Sequence, residues 1–300
     1  MRLTIANLSS SVSSAELNDV VQALQEQVSR HFAPEWGRDA TVRGVRGAVE
    51  EGQFAISGRH DAIIYLGDSV DDPTTGVENA LGYHSASQGG VPYGFVYLDI
   101  CRECEEPWTA TLSHEVLELL VDPTAALTVA GPDPTGAPGY IARDLEVCDP
   151  TQGDTYLVQG KALSNFVGRA YFGEPGGSGL TNYLGLALAP FGVRPSGYFL
   201  YEDGQGVHQI EGALLTERRR NAKARLGLAR RARRRKGRTR SPASHAAQTL
   251  RQATACDDGL RERLRQAAAS AVRQALRDAG VSVSESDLAE WQAQAHRLPG

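Results

Sequence analysis

Within Ser113-His114-Glu115-Val116-Leu117-Glu118 a histidine and a carboxylate stand four residues apart, with a second carboxylate directly after the histidine. On a helix, positions four apart share a face, so His114 and Glu118 can point at one ion while Glu115 reaches its side. A divalent ion acidifies its bound water toward a pKa of ~7, and an adjacent carboxylate can take that proton and later deliver it to a leaving group. The spacing therefore assigns His114 and Glu118 as metal ligands and Glu115 as the base. Around them Ala110, Leu112, Val116, Leu117, Leu119, Leu120 and Val121 make the segment apolar on almost every side. The polar trio is thus buried or faces a cleft, where charge is costly unless paired or bound to metal. A metal-free buried hydrogen-bond cluster is the competing reading.

Two ligands do not hold zinc, and the acid-rich run Asp144-Leu145-Glu146-Val147-Cys148-Asp149-Pro150 is the best source of a third. On a straight strand Glu146 and Asp149 face opposite ways, so Glu146 is favoured and Asp149 follows, the two sharing an ion only where the chain bends near Pro150. Asp122, where the helix ends, is a weaker candidate. One histidine with two carboxylates neutralises a divalent ion; zinc is the first expectation, with manganese or iron compatible with so hard a donor set. Cys101-Arg102-Glu103-Cys104 has half of a zinc-knuckle spacing, and with Cys148 and His114 it would form a structural Cys₃His site; free thiols are the simpler reading of four sparse cysteines. His84 and Tyr140 are the candidates for polarising a substrate carbonyl or holding an oxyanion.

The elements that must position these groups follow from periodicity. Residues 2–8 read as a strand, and Ser13 with Glu16 makes a capping box before Leu17, Val20, Val21, Leu24 and Val28 at helical spacing. Strands follow at 41–45, 62–66 and 94–100, with His84 in the loop before the last of them. The motif helix runs over about 109–122 and is stopped by Pro123. Extended segments are expected at 140–149, 155–158, 161–167, 197–201 and 207–210, with glycine-rich 173–179 a flexible loop.

This β-α-β-β-β order and the motif together resemble the zincin metallopeptidase fold, whose active-site helix carries His-Glu-x-x-His; here Glu118 stands in the second histidine's place. The resemblance implies an α+β domain with a mixed twisted sheet, an antiparallel edge strand and a central metal-binding helix, followed by a mainly helical C-terminal tail. More closely, Gly94 to Asp99, Thr111 through Asp122-Pro123, Glu146 to Pro150 and Ser164-Asn165-Phe166-Val167 resemble a group of bacterial and phage-associated proteins of unassigned function. That likeness implies that Glu118 belongs to a pattern, and it brings no substrate.

The net charge of -5 conceals a segregation, because residues 217–240 hold thirteen Lys or Arg and one acid, whereas residues 1–216 hold eleven bases against twenty-eight acids. Three zones result: 1–216, the zincin-like metal-binding domain; 217–242, a basic helix or linker; and 243–300, a helical segment through which chains can associate. The basic zone suits nucleic acid, an anionic surface or an acidic protein, the first domain included. No apolar run approaches the ~18 residues of a transmembrane helix, and no secretory signal is evident, so a cytoplasmic protein is expected. Two functions compete: an intracellular zinc metallopeptidase acting on peptide or protein, and a non-catalytic zincin-fold binding or assembly protein, phage-like or secretion-delivered, that docks through its basic tail.

Overall fold

The structure is a computed structural model, and it describes residues 1–50, 53–55, 58–69, 81–87, 90–203 and 205–214. The basic zone and the C-terminal helices expected from residue 217 onward lie outside the described residues. What is described is an α+β architecture with several sheets and few helices.

Strand β1 (Arg2–Asn7) is followed by helix α1 (Ser14–Glu26), whose start is set as expected: the Ser13 hydroxyl accepts the Glu16 amide at 3.1 Å. Leu17, Val20, Ala23 and Leu24 form its buried stripe. The chain then widens into a π-helical turn, Gln27–Phe32, and ends in α2 (Ala33–Trp36), closed by Gly37 in the left-handed region. Gln27, the first residue of that turn, is fully buried.

Next come β2 (Thr41–Arg46), a small ribbon of β3 (Ala48–Glu50) and β4 (Gln53–Ala55), β5 (Ala62–Gly67), β6 (Gly82–Ala86) and β7 (Pro92–Tyr97). The main sheet has the order β2-β1-β5-β7-β6. Its first four strands are parallel, and β6 runs antiparallel to β7 at the edge, with His84 opposite Gly94. Strand β6 stands where a loop around His84 is expected from the sequence. The segment expected as one strand over 94–100 divides into β7 and a short helix α3 (Leu98–Glu103).

Helix α4 (Trp108–Val121) has every residue from Thr109 to Val121 buried. Such a helix must be covered all round: β6 and β7 pack on it from the sheet side and β11 (Lys161–Ser164) from the other. A second sheet, of order β13-β12-β9-β8, is antiparallel and consists of β8 (Thr128–Pro132), β9 (Tyr140–Asp144), β12 (Tyr198–Glu202) and β13 (Val207–Glu211). Between its halves lies the hairpin β10 (Thr155–Val158) with β11, turning at Gln159-Gly160 as expected. The extended run expected over 140–149 stops at Asp144, and the chain then folds into a 3₁₀ turn, Asp149–Thr151. Loop 173–179 is fastened: Glu35 accepts the Arg169 amide at 2.8 Å and the Ser178 amide at 2.6 Å. Among the described residues no helix is long and apolar enough to cross a membrane.

Candidate metal centre

His114 and Glu118 occupy successive turns of α4 and meet as their spacing demands, His114 Nε2 lying 3.2 Å from Glu118 Oε1. Asp149 Oδ1 stands 3.1 Å from the same nitrogen. Around an ion with bonds of about 2.0–2.1 Å, tetrahedral donors are separated by about 3.4 Å, so each of the two oxygens lies at ligand spacing from His114 Nε2. The Cys148 thiol is close by, with His114, Glu118 and Cys148 each offering a donor atom within 4.8 Å of the others. Burial, first, and the neighbouring Glu118 charge push this thiol well above its ordinary range, so without a cation it is protonated.

The bend after Asp144 decides which acid reaches His114. Because the chain leaves its strand and turns at Pro150, Asp149 swings to the helix while Glu146 Oε2 faces the other histidine, 3.9 Å from His84 Nε2. By distance from His114, Asp149 therefore comes ahead of Glu146, the opposite of the order expected from strand alternation. Two features outside that reading hold the turn. The Tyr198 hydroxyl, on β12, donates to Asp149 Oδ1. Gly197 lets β12 approach, since a Cβ there would fall 2.1 Å from the Pro150 carbonyl oxygen.

His84 is 1 % exposed, which removes it from the wall of any cleft. It lies inside the acid cluster, its Nδ1 3.3 Å from Glu115 Oε2 and 3.8 Å from Glu118 Oε2. Its Nε2 is 3.1 Å from the Asp122 carbonyl oxygen. A carbonyl only accepts, so Nε2 carries the hydrogen and Nδ1 turns toward the carboxylates. The Asp122 side chain is no ligand: it accepts from the Thr124 amide and hydroxyl and from the Leu127 amide, closing the helix. A polar thread secures α4 from its other side, where the Ser113 hydroxyl donates to Gln27 Oε1 at 2.8 Å and accepts the Ser164 amide at 3.0 Å.

Tyr140 is not brought to this cluster. It begins β9, half exposed and opposite Pro132, about 13 Å along the strand from Asp144. Cys101 and Cys104 likewise stay out of both donor groups found among the described residues, so a Cys₃His site does not assemble. Cys101 is buried against Thr111 and pushed up to about 12, chiefly by desolvation. Glu115 lies between His114 and Glu118 in sequence and lines a small recess with His114, Thr111, Gln152 and Ser164. That recess measures about 10 Å³, the space of a single water molecule. Gln152 lines it too and is buried, and its Oε1 has no hydrogen-bond partner among the described residues. Nothing in its polar, loop-like sequence context marks Gln152 beforehand.

No family model, curated relative or solved structure matches this chain.

Proposed function

We propose that the protein is a metal-dependent hydrolase of zincin-like architecture, with zinc as the first expectation and manganese or iron compatible with the donors. The observation that carries this reading is the pair of carboxylate oxygens, from Glu118 and Asp149, each at ligand spacing from His114 Nε2, with Glu115 alongside on the same helix. The parallel sheet with antiparallel β6 beside a buried α4 supports the zincin-like assignment.

A divalent ion bound here would supply Lewis acidity and would acidify its bound water, less strongly than on a two- or three-histidine site because two carboxylates already neutralise its charge. The chain's own residues do the rest. His114, Glu118 and Asp149 hold the position, and Tyr198 fixes the Asp149 rotamer. Glu115 takes a proton from a nucleophile in the recess and returns it to the leaving group. Gln152, whose amide oxygen and nitrogen are interchangeable by rotation, faces the recess and is suited to bind the substrate's polar group. An amide substrate, and hence peptidase activity, is the reaction this set fits best.

The burial of the site favours a second reading, a zincin-like fold that holds an ion for structure or assembly. A recess that admits one water admits a peptide only after its walls move apart. Glu115→Gln separates the two. With metal content unchanged, loss of turnover of a peptide library in that variant supports the hydrolase, whereas a biological activity undiminished in the variant refutes it.

A further inference from the structure

The geometry points to a second cation position beside the first, bridged to it by Glu118; we propose that the centre is dinuclear. This rests on the metal-binding reading above and extends it to the His84 side of the cluster.

Glu118 presents its two oxygens to two different histidines. Oε1 faces His114 Nε2 at 3.2 Å, and Oε2 faces His84 Nδ1 at 3.8 Å. Glu115 Oε2 completes a second group, 3.3 Å from His84 Nδ1, and the donor atoms of His84, Glu115 and Glu118 all lie within 4.8 Å of one another. A carboxylate shared in this way suits ions about 3.5–4 Å apart, the separation of two-metal sites.

The orientation of His84 is an independent sign. A histidine that ligates through one nitrogen donates its other ring N–H to a carbonyl or carboxylate, which sets tautomer and ring angle. His84 has that arrangement: Nε2–H donates to the Asp122 carbonyl, and Nδ1 is turned toward two carboxylate oxygens. Asp122 is itself held by three hydrogen bonds from Thr124 and Leu127, so the carbonyl is a fixed acceptor.

The number of donors points the same way. Glu115, Glu118, Glu146 and Asp149 are buried together with His84 and His114, six side chains where one tetrahedral ion takes four ligands. With the second position filled Glu115 becomes a ligand.

The test is elemental analysis of the full chain after stripping and equilibrium dialysis against zinc, beside His84→Ala and His114→Ala. Two equivalents in the wild type and one in each variant are expected. Manganese loading of the wild type gives a second readout that needs no variant to fold, since a carboxylate-bridged pair produces an exchange-coupled EPR spectrum. One equivalent in the wild type, kept in His84→Ala and lost in His114→Ala, overturns the second position and leaves the hydrolase reading intact. No bound metal overturns both, and two equivalents with the spectrum of isolated ions overturns the bridge.

Discussion

Replacing Tyr198 by Phe removes one oxygen atom, replaces no proposed ligand, and tests whether Asp149 belongs to a metal centre. The hydroxyl is buried and donates to Asp149 Oδ1, the oxygen that lies 3.1 Å from His114 Nε2. In the metal-free protein the loss is that of a buried hydrogen bond to a charged acceptor, about 1.5–3 kcal/mol. For a folded unit of some two hundred residues each kcal/mol lowers Tm by roughly 2–4 °C, so metal-free Tyr198→Phe should melt about 3–12 °C below wild type. With metal a further loss appears, because a group that orients a ligand contributes 10–100-fold in affinity. At saturating zinc that factor subtracts another 1.4–2.7 kcal/mol, or about 3–11 °C, from the stabilisation that binding confers. Thermal melts of both proteins with chelator and with excess zinc measure the two losses separately. The deficit of Tyr198→Phe must grow when zinc is added. A deficit of equal size in the two conditions refutes Asp149 as a ligand, and with it the centre as drawn.

Gly82→Ala would place a methyl 3.0 Å from Glu115 Cγ and Oε1 and equally close to the Phe95 carbonyl oxygen; the side chain must yield, so turnover should fall at least tenfold while urea titration shows an overpacking loss of about 1–3 kcal/mol. Glu35→Gln leaves one acceptor for the amides of Arg169 and Ser178, setting an NH₂ against an N–H; a stability loss of about 1–3 kcal/mol and faster limited proteolysis within 173–179 are expected. Burial pushes the Asp68 carboxyl up, but hydrogen bonds from Ser9, Ser10 and Ser11 together outweigh it and hold the group below the usual carboxylate range. Its contribution is therefore complete above the unfolded value near ~3.9 and vanishes as pH falls through the lower folded value: urea melts should show wild type above Asp68→Asn equally at pH 7 and 5, with the gap closing on further acidification.

The legible parts of this protein are those where one local rule acts without a rival. Ser13 before an apolar stripe starts α1, and Pro123 sits just past the end of α4, because capping and helix termination depend on neighbours in the chain. The pairing of His114 with Glu118 is legible for the same reason, being a matter of helical pitch. Strand β6 was not legible. Gly82-Tyr83-His84-Ser85-Ala86 has no apolar alternation, and it buries His84 against the carboxylates of α4. Its strand character comes from pairing with β7. The place of Asp149 was hidden for a related reason: alternation along 144–149 presumes a straight strand, and the bend is fixed by Gly197 and Tyr198, some fifty residues on. Tyr140 shows the converse error, an aromatic near the acids in sequence that the hairpin carries away from them.

That dependence on β12 has a consequence for how the protein is made. A ribosome adds about 5–20 residues per second, so the span of 49 residues between Asp149 and Tyr198 corresponds to a delay of roughly 2–10 s during which His84, His114, Glu115 and Glu118 have already been synthesised. Through that interval the nascent chain carries an acid cluster whose clamp does not yet exist, and a cation captured early would be held loosely and exchanged freely. Selection of the ion proposed for this centre would therefore belong to the finished domain, set by the closing of the second sheet and by the ions then at hand.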